Sequence, residues 1–409
     1  MKIFYYLSIG FDIQGPSYHL MSAKILRSLE EGFDVFVLCQ KSTHGDPHIP
    51  EEFLKYPNFK YAAVYIAQPK KSQFVLRYLA SLKCAWDSRK YLKLAREYDV
   101  MYMESNVTMP FDISIAKHYG KIPRVWNIQD MFPGSSIASG VMRKKWMQKF
   151  FYALEKIAYR KANRITVISE DMKKSVVDQG VTPDKIDVIL NWYNDRIVEE
   201  IPWEENRFVK KYNLSKDIFY VQYAGTTGYV FDYKAFLYCA NALKGQPKIR
   251  FQIIARGSQY DQFKGEAEKM GLENIDFLPL QPQGMVSDVY SACSVCYIPL
   301  KPGVIWNSVP SKAGLLMACK RPVINSVDAE SYYFKEFNEN KIGISASNLN
   351  YQDSVDAILY LFNNREEAKK IGLRAYDYGK RVYASTPNLE KYREVYEKVI
   401  EENKSNKNY

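Results

Sequence analysis

The chain has 409 residues, of which 47% are apolar and 25% are charged, and its formal net charge is +11. This length allows two domains of ordinary size, each with its own core. No apolar run reaches the 18 or so residues that a membrane-spanning helix needs, and no recognised nucleic-acid motif accompanies the positive charge.

The first half of the chain alternates between strand and helix patterns. Residues 3–9 predict a buried strand, 10–15 a glycine-bearing loop, 18–30 an amphipathic helix and 33–39 a second strand. This βαβ unit places its first loop at the carboxyl end of a strand, where open parallel sheets bind ligands. Further strands are predicted over 100–103, 124–128, 164–168 and 188–190, with a long helix over 142–161.

A polar, charge-rich stretch over 192–217 interrupts the alternation and is typical of an interdomain connection. The alternation then restarts. Strands are predicted over 218–224, 251–255, 275–278 and 295–299, and helices over 233–243, 259–270, 285–292, 365–382 and 389–402. The predicted fold is therefore α/β, with two Rossmann-like, doubly wound parallel-sheet domains. We assign residues 1–192 and 193–380 to these domains, and 381–409 to a helix that packs back on the first.

The most informative stretch, 309–324, reads VPSKAGLLMACKRPVI. Pro310 and Ser311 carry helix-start chemistry, since proline fixes φ and a serine oxygen can accept from free amides. A helix N-terminus after a loop attracts anions, and Lys312 adds a positive charge. The alternative is a capped core helix whose lysine is simply solvated.

Residues 143–164 hold eight basic residues against a single acidic one, Glu155. Such a concentration points to an anionic partner, and the neighbouring Trp146 and Tyr152 favour an anionic lipid surface. The alternative is an ordinary solvated helix face. Apolar side chains at helical spacing predict that the opposite face is core: Met147, Phe150, Phe151, Leu154, Ile157 and Ala158.

The six cysteines are scattered, and only Cys293 and Cys296 have the spacing of a metal-binding pair. One such pair without a second pair or histidines is weak evidence for a metal, so buried thiols in a reducing cytosol are expected.

Five segments carry a resemblance to a known family. They are residues 126–133 (WNIQDMFP), 165–172 (ITVISEDM), 191–195 (NWYND), 223–228 (YAGTTG) and 309–324. In this order and spacing they resemble the retaining glycosyltransferases of family 4, and the first is similar to members that build bacterial surface polysaccharides. The resemblance implies a GT-B fold, with an acceptor-binding domain followed by a nucleotide-sugar-binding domain.

The sequence departs from the family pattern in two places. Many members carry a Glu-x7-Glu pair, and the corresponding positions here are Asn307 and Leu315. The family's common His-Asp at the N-domain loop is Gln129-Asp130 here.

The resemblance implies a donor site whose diphosphate must be stabilised as it leaves. Lys312 and the amides around Ser311 would face the diphosphate. Arg256 at a strand end is a second phosphate ligand or an ordinary loop arginine, and Thr226, beside Gly225 in the glycine turn, would bond the same group. No Asp-x-Asp cluster stands in a strand-end loop, so neither a metal nor another cofactor is expected.

Four further residues are assigned to sugar recognition. Asp130, with Gln129, would bind a sugar hydroxyl or assist the acceptor as the catalytic pair, or else Asp130 is a turn residue. Asp328 and Glu330 follow the strand after the donor helix and would replace the missing glutamate, or else cap a helix.

Gly15 and Ser17, in the first loop, would let an acceptor phosphate or the donor approach the backbone closely. They complete the set of predicted site residues.

The sequence therefore predicts a bacterial hexosyl- or N-acetylhexosaminyl-type glycosyltransferase. It would move a sugar from a nucleotide donor, expected to be a UDP-sugar, to a polyprenyl-linked saccharide in capsule or O-antigen assembly. The enzyme would lie in the cytoplasm, peripheral on the inner face of the plasma membrane. The alternatives are a catalytically silent GT-B partner subunit and a nucleotide-sugar epimerase, although the chain has only four histidines for the latter.

Overall fold

A computed structural model describes residues 1–11, 16–42, 45, 47–69 and 73–405. Within these ranges the chain forms two sheets, one of seven strands and one of six. Among the described helices, none combines the length and the apolar character that crossing a membrane requires.

The first sheet belongs to the N-terminal domain and is parallel throughout, in the order β3-β2-β1-β4-β5-β6-β7. Its central strands are buried on both faces because helices cover each side of a parallel sheet. The strands are β1 (Lys2–Tyr6), β2 (Asp34–Lys41), β3 (Phe59–Tyr65), β4 (Val100–Glu104), β5 (Arg124–Ile128), β6 (Arg164–Val167) and β7 (Ile186–Val188). The helices are α1 (Pro16–Glu30), α2 (Glu51–Leu54), α3 (Phe74–Leu92), α4 (Met109–Tyr119), α5 (Gly134–Ala138), α6 (Lys145–Lys161) and α7 (Glu170–Asp178).

The second sheet belongs to the C-terminal domain, in the order β10-β9-β8-β11-β12-β13, and its paired strands are again parallel. Its strands are β8 (Phe219–Thr226), β9 (Ile249–Arg256), β10 (Ile275–Leu278), β11 (Val295–Pro299), β12 (Val323–Val327) and β13 (Ile344–Ser347). The helices are α8 (Arg207–Tyr212), α9 (Tyr233–Ala242), α10 (Tyr260–Lys269), α11 (Val286–Ser291), α12 (Lys312–Ala318), α13 (Tyr332–Glu339), α14 (Tyr351–Asn363), α15 (Arg365–Val382) and α16 (Ser385–Ser405).

The last helix, α16, returns to the N-terminal domain. Tyr392, Tyr396 and Val399 join the core beneath β1 and β2. The Tyr392 hydroxyl donates to Asn127 Oδ1 across 2.8 Å, deep in the first sheet. The chain therefore crosses between the domains twice, once after β7 and once before α16.

The predicted α/β, doubly wound architecture is confirmed. All six cysteines are buried, as expected. The prediction that Phe150 belongs to the core is wrong, because its side chain is 53% exposed. One basic residue of the 143–164 segment, Arg164, is buried and pairs with Asp187, so its charge is not on the surface.

Candidate functional site

The carboxyl ends of β8 and β9 meet the start of α12. Lys312 Nζ donates to the Tyr223 hydroxyl across 3.0 Å and lies 4.3 Å from the centre of that ring. Gly225 has a φ of +139°, and a Cβ there would stand 2.4 Å from Lys312 Cε. The absence of a side chain at this position therefore allows the lysine to lie directly on the backbone. Thr226 and Arg256 are paired in register at the strand ends, and both are exposed.

The next loop holds Arg256 in place through close backbone packing. Gly257 has a φ of +156°, and a Cβ there would lie 2.5 Å from the Thr227 carbonyl oxygen. The Thr227 amide donates to the Arg256 carbonyl across 3.0 Å. The backbones of the two strand-end loops are thus in direct contact beside Arg256.

Four of the predicted donor-site residues therefore lie together: Lys312, Gly225, Thr226 and Arg256. They form one cationic edge of the C-terminal sheet. Tyr223, which the sequence analysis missed, also contacts Lys312, and its hydroxyl donates to the Thr226 carbonyl across 2.7 Å. Its place in the YAGTTG segment was the available signal.

The prediction for Ser311 needs correction. Helix α12 begins at Lys312, and the Ser311 side chain makes no capping hydrogen bond. Its backbone at the N-cap position has helical dihedrals, φ −71° and ψ −5°, rather than the extended conformation that lets a serine oxygen reach back to the first amides. The hydroxyl is left exposed beside Lys312.

Asp328 has a structural partner. Its two carboxylate oxygens accept from the Gly303 amide at 2.9 and 3.0 Å, and Asn348 Nδ2 donates to the same carboxylate at 3.2 Å. Asp328 thus holds the loop that leads toward α12. Glu330, the other residue assigned to replace the missing glutamate, is exposed in the following turn.

The loop after β5 brings the N-terminal domain to the same region. Asp130 is exposed at the cleft and lies beside Ser308, four residues before Lys312. The surrounding protein raises the pKa of Asp130 by desolvation, and the neighbouring Ser308 side chain opposes that shift. Gln129 Oε1 accepts from Asn191 Nδ2 across 2.8 Å, so it braces the first interdomain crossing.

Asn307, noted in the sequence only as a departure from the family, joins the two domains. Its carbonyl accepts from the Met131 amide across 3.0 Å. A Cβ at Gly134 would lie 1.9 Å from Asn307 Oδ1, so any larger residue at 134 would displace the Asn307 side chain where the two loops meet. An acidic side chain at position 307 would face this contact.

Another interdomain contact joins α7 to the start of α13. Asp171 of α7 is fully buried, and its carboxylate accepts from the amides of Tyr332 and Tyr333 at 2.7 and 2.9 Å. Burial raises the pKa of Asp171, and the two amide bonds counter part of that rise. An N-domain carboxylate thus supplements the N-cap Ser331 at the start of α13.

The predicted acceptor residues fall at the start of α1. Gly15 lies outside the described residues. Ser17 lies in the first turn of α1, and its side chain is not among those described. In the described part of the chain, no three His, Cys, Asp or Glu side chains are grouped so as to hold a metal ion.

Comparison with known proteins finds similarity to one family over most of the N-terminal domain. Residues 25–196 match the model of Glycosyltransferase Family 4. The chain is also 23% identical to the probable glycosyltransferase WbjE of Pseudomonas aeruginosa over 330 residues, covering 78% of this chain and 79% of that protein. These matches confirm the resemblance stated from the sequence.

Solved structures extend the similarity to the whole chain. Sucrose-phosphate synthase from Thermosynechococcus elongatus superposes with a TM-score of 0.74 at 14% identity, covering 98% of this chain and 99% of that one. HepE from Anabaena, in complex with UDP and glucose, has a TM-score of 0.71 at 15% identity and covers 97% and 99%. At these identities the similarity shows the fold, and the GT-B prediction is confirmed.

Proposed function

We propose that this chain, a glycosyltransferase of the family 4 type with the GT-B fold, transfers a hexosyl or N-acetylhexosaminyl residue from a UDP-sugar to a lipid-linked saccharide. The observation that carries the donor half is the cationic edge where Lys312 and Arg256 meet the glycine turn at Gly225. The structurally similar HepE was solved in complex with UDP and glucose, which supports the choice of nucleotide.

The donor edge fits a diphosphate for a physical reason. The bond between the sugar and the diphosphate breaks as negative charge develops on the leaving group, and nearby cations stabilise that charge. Lys312 is held by its hydrogen bond to Tyr223, so it does not have to be ordered at the moment of transfer, and Arg256 is exposed at the neighbouring strand end. We propose that these cations act without a divalent metal.

The acceptor half of the proposal rests on Asp130. This carboxylate faces the cleft from the N-terminal domain and contacts the segment that leads into α12. An acceptor hydroxyl bonded to Asp130 would approach the donor sugar from the opposite domain. We assign Asp130 to acceptor binding and Gln129 to positioning, since its amide oxygen is already bonded to Asn191.

The lipid-linked acceptor is proposed from the surface of α3 and α6. Tyr78 of α3 and Phe151 of α6 are in ring contact, with centroids 5.9 Å apart, so the two helices are neighbours. Both expose large apolar side chains next to lysines and arginines. The exposed apolar residues are Val75, Leu76, Leu79 and Trp86 on α3, and Trp146 and Phe150 on α6.

We call these six residues, with the neighbouring basic side chains, the α3–α6 surface. Apolar and aromatic side chains flanked by basic ones match an anionic membrane interface. On this basis we propose that the enzyme acts at the inner face of the plasma membrane, in capsular polysaccharide or O-antigen assembly, where its acceptor is anchored to polyprenyl.

A thermal-shift screen tests the proposed function. The protein is mixed with UDP, GDP, ADP and their common sugar conjugates, and turnover of any binder is followed as release of nucleotide diphosphate. Stabilisation by UDP and its sugars would support the donor assignment. Stabilisation by GDP compounds alone would refute UDP, and binding without turnover on lipid-linked saccharides would favour a catalytically silent subunit.

A further inference from the structure

A narrow slot enters the N-terminal domain beside the cleft. It lies between the residues that follow β4, the end of β5 and its loop, and helix α6. Its apolar lining includes Trp126, Phe132, Phe151 and Leu154. The free space inside is close to that of one water molecule, so it admits a small substituent and not a whole sugar ring.

Glu155 lies in the lining of this slot, on the face of α6 that turns inward. Its side chain is 4% exposed, and Oε1 accepts from the Tyr159 hydroxyl across 2.7 Å. Oε2 is buried, and no donor among the described residues meets hydrogen-bond geometry with it, although the Gln179 side chain lies close enough to this carboxyl to lower its pKa. A buried carboxylate oxygen without a partner is costly, so a group that donates to it would be favoured.

Asp130 lines the slot and also faces the cleft, where it lies beside Ser308 of the C-terminal domain. Phe132 packs edge-to-face on Phe151, with ring centroids 5.0 Å apart, and forms a wall of the slot. A molecule bound in the cleft at Asp130 can therefore place a side group between the aromatic wall and Glu155.

We propose that this slot receives the hydroxyl end of the hydroxymethyl group of the acceptor sugar, with Glu155 as the residue that selects it. The hydroxyl occupies the water-sized space and donates to Glu155 Oε2, while the methylene carbon stays at the entrance. This inference rests on the proposed function and adds a specificity-determining residue to its acceptor side. Pentoses that lack the group would leave Oε2 without a partner and bind more weakly.

The experiment compares sugars that differ only in the hydroxymethyl group. The probes are methyl β-D-glucopyranoside against methyl β-D-xylopyranoside, and methyl β-D-galactopyranoside against methyl α-L-arabinopyranoside. Binding to the full-length protein in the presence of UDP is measured by saturation-transfer NMR. We expect the hexoside of at least one pair to bind about fivefold or more tightly than its pentoside.

Two substitutions of Glu155 test whether the preference for hexosides over pentosides arises in the slot. Glu155→Leu should abolish it, because the hydroxyl would then face an apolar group, and Glu155→Gln should leave a reduced preference. The matched control is Glu52→Gln on α2, an exposed residue of the same domain. UDP affinity and the urea midpoint of unfolding are measured for each variant, the midpoint as the check that the N-terminal domain is folded.

The outcomes separate the two proposals. If the wild type fails to bind UDP, the proposed function falls, and this inference falls with it. If UDP binds but no hexoside is preferred, or the preference survives in Glu155→Leu, the slot holds only a structural water and the inference is overturned. A preference lost in Glu155→Leu and kept in Glu52→Gln supports it.

Discussion

Lys312 and Tyr223 are joined across the start of α12 by a hydrogen bond of 3.0 Å from the ammonium to the phenol oxygen. The same hydroxyl donates to the Thr226 carbonyl at 2.7 Å, so the tyrosine fixes the lysine at the end of β8. The ammonium retains donors for another acceptor, since it has three. Tyr223 thus holds the lysine ammonium in position for the proposed diphosphate before the donor binds.

We expect Lys312→Ala and Arg256→Ala each to reduce turnover of the UDP-sugar while leaving the fold intact. A charge-assisted bond to phosphate is worth about 1.5–3 kcal/mol, which corresponds to roughly 10- to 150-fold in kcat/KM. The measurement is release of UDP with donor and acceptor below saturation.

The matched control for these variants is Lys269→Ala, an exposed lysine at the end of α10. It removes the same charge from the same domain without touching the strand-end loops. Unchanged turnover in both Lys312→Ala and Arg256→Ala would remove this edge from the donor site.

The donor edge shows how far sequence patterns reach. Strand-end position and the glycine turn were sufficient to place Gly225, Thr226, Arg256 and Lys312 together, because parallel strands bring their carboxyl ends to one edge. The same reasoning could not find the partner of Asp328, since the Gly303 amide that it binds lies 25 residues away in the chain.

Contacts between the domains were also beyond sequence reasoning. Asn307 was recognised only as a non-acidic residue, yet it meets Met131 and Gly134 of the other domain. Helix α8 inside the polar connection was missed because its six residues show no long period. It is stabilised by its buried Asn206 cap and by the Arg207–Asp288 ion pair. Such elements are specified by tertiary partners and not by local pattern.

Turnover is expected to be independent of divalent metal. The reason is that cationic side chains at Lys312 and Arg256, with backbone amides nearby, supply the charge that a metal would otherwise provide. The measurement is turnover of the UDP-sugar before and after treatment with excess EDTA. Activity lost in EDTA and restored by magnesium or manganese would contradict this prediction.

Asp171→Asn should destabilise the contact between the domains. The aspartate accepts from two amides of α13, whereas an asparagine offers one acceptor oxygen and leaves one amide without a partner. A buried unpaired group costs about 1–3 kcal/mol, so the urea midpoint of unfolding should fall.

Asp178→Asn, at the exposed end of the same helix, is the control because its ion pair with Lys174 lies on the surface. Equal midpoints for both variants would show that the Asp171 contact contributes nothing.

The Glu155 carboxyl should lower the free energy of unfolding as pH rises from about 4.5 to about 7. Burial raises its pKa from the ordinary 4.5 to about 7, so between these values the folded protein holds a proton that the unfolded chain has released. Stability therefore falls through this window, by on the order of 3 kcal/mol in total. Glu155→Gln should remove this contribution.

The comparison of unfolding midpoints at pH 5 and pH 8 isolates this effect. Asp112, whose pKa burial raises to about 6, titrates in both proteins and so cancels in the difference. The wild type should lose more stability between the two values than Glu155→Gln does. Parallel pH profiles would mean that Glu155 does not carry a raised pKa in the folded protein.

The α3–α6 surface should bind anionic bilayers. Lys144, Lys145 and Lys149 are exposed next to Trp146 and Phe150, whose side chains are 67% and 53% exposed. Each suitably placed lysine contributes about 1 kcal/mol to binding of an anionic surface, and the attraction weakens with salt as the Debye length shrinks. The exposed aromatic rings add an apolar contribution that salt does not screen.

Replacing Lys144, Lys145 and Lys149 with glutamine should therefore reduce flotation with anionic liposomes at low salt and leave turnover of a short-chain soluble acceptor unchanged. The control replaces three exposed lysines of the C-terminal domain, Lys244, Lys248 and Lys269, and so removes the same charge elsewhere. A loss confined to the first variant would place the membrane contact on α6, because both variants have the same net charge. If both triple variants float with the liposomes as well as the wild type does, the exposed lysines of α6 are ordinary solvated charges and the membrane contact lies elsewhere.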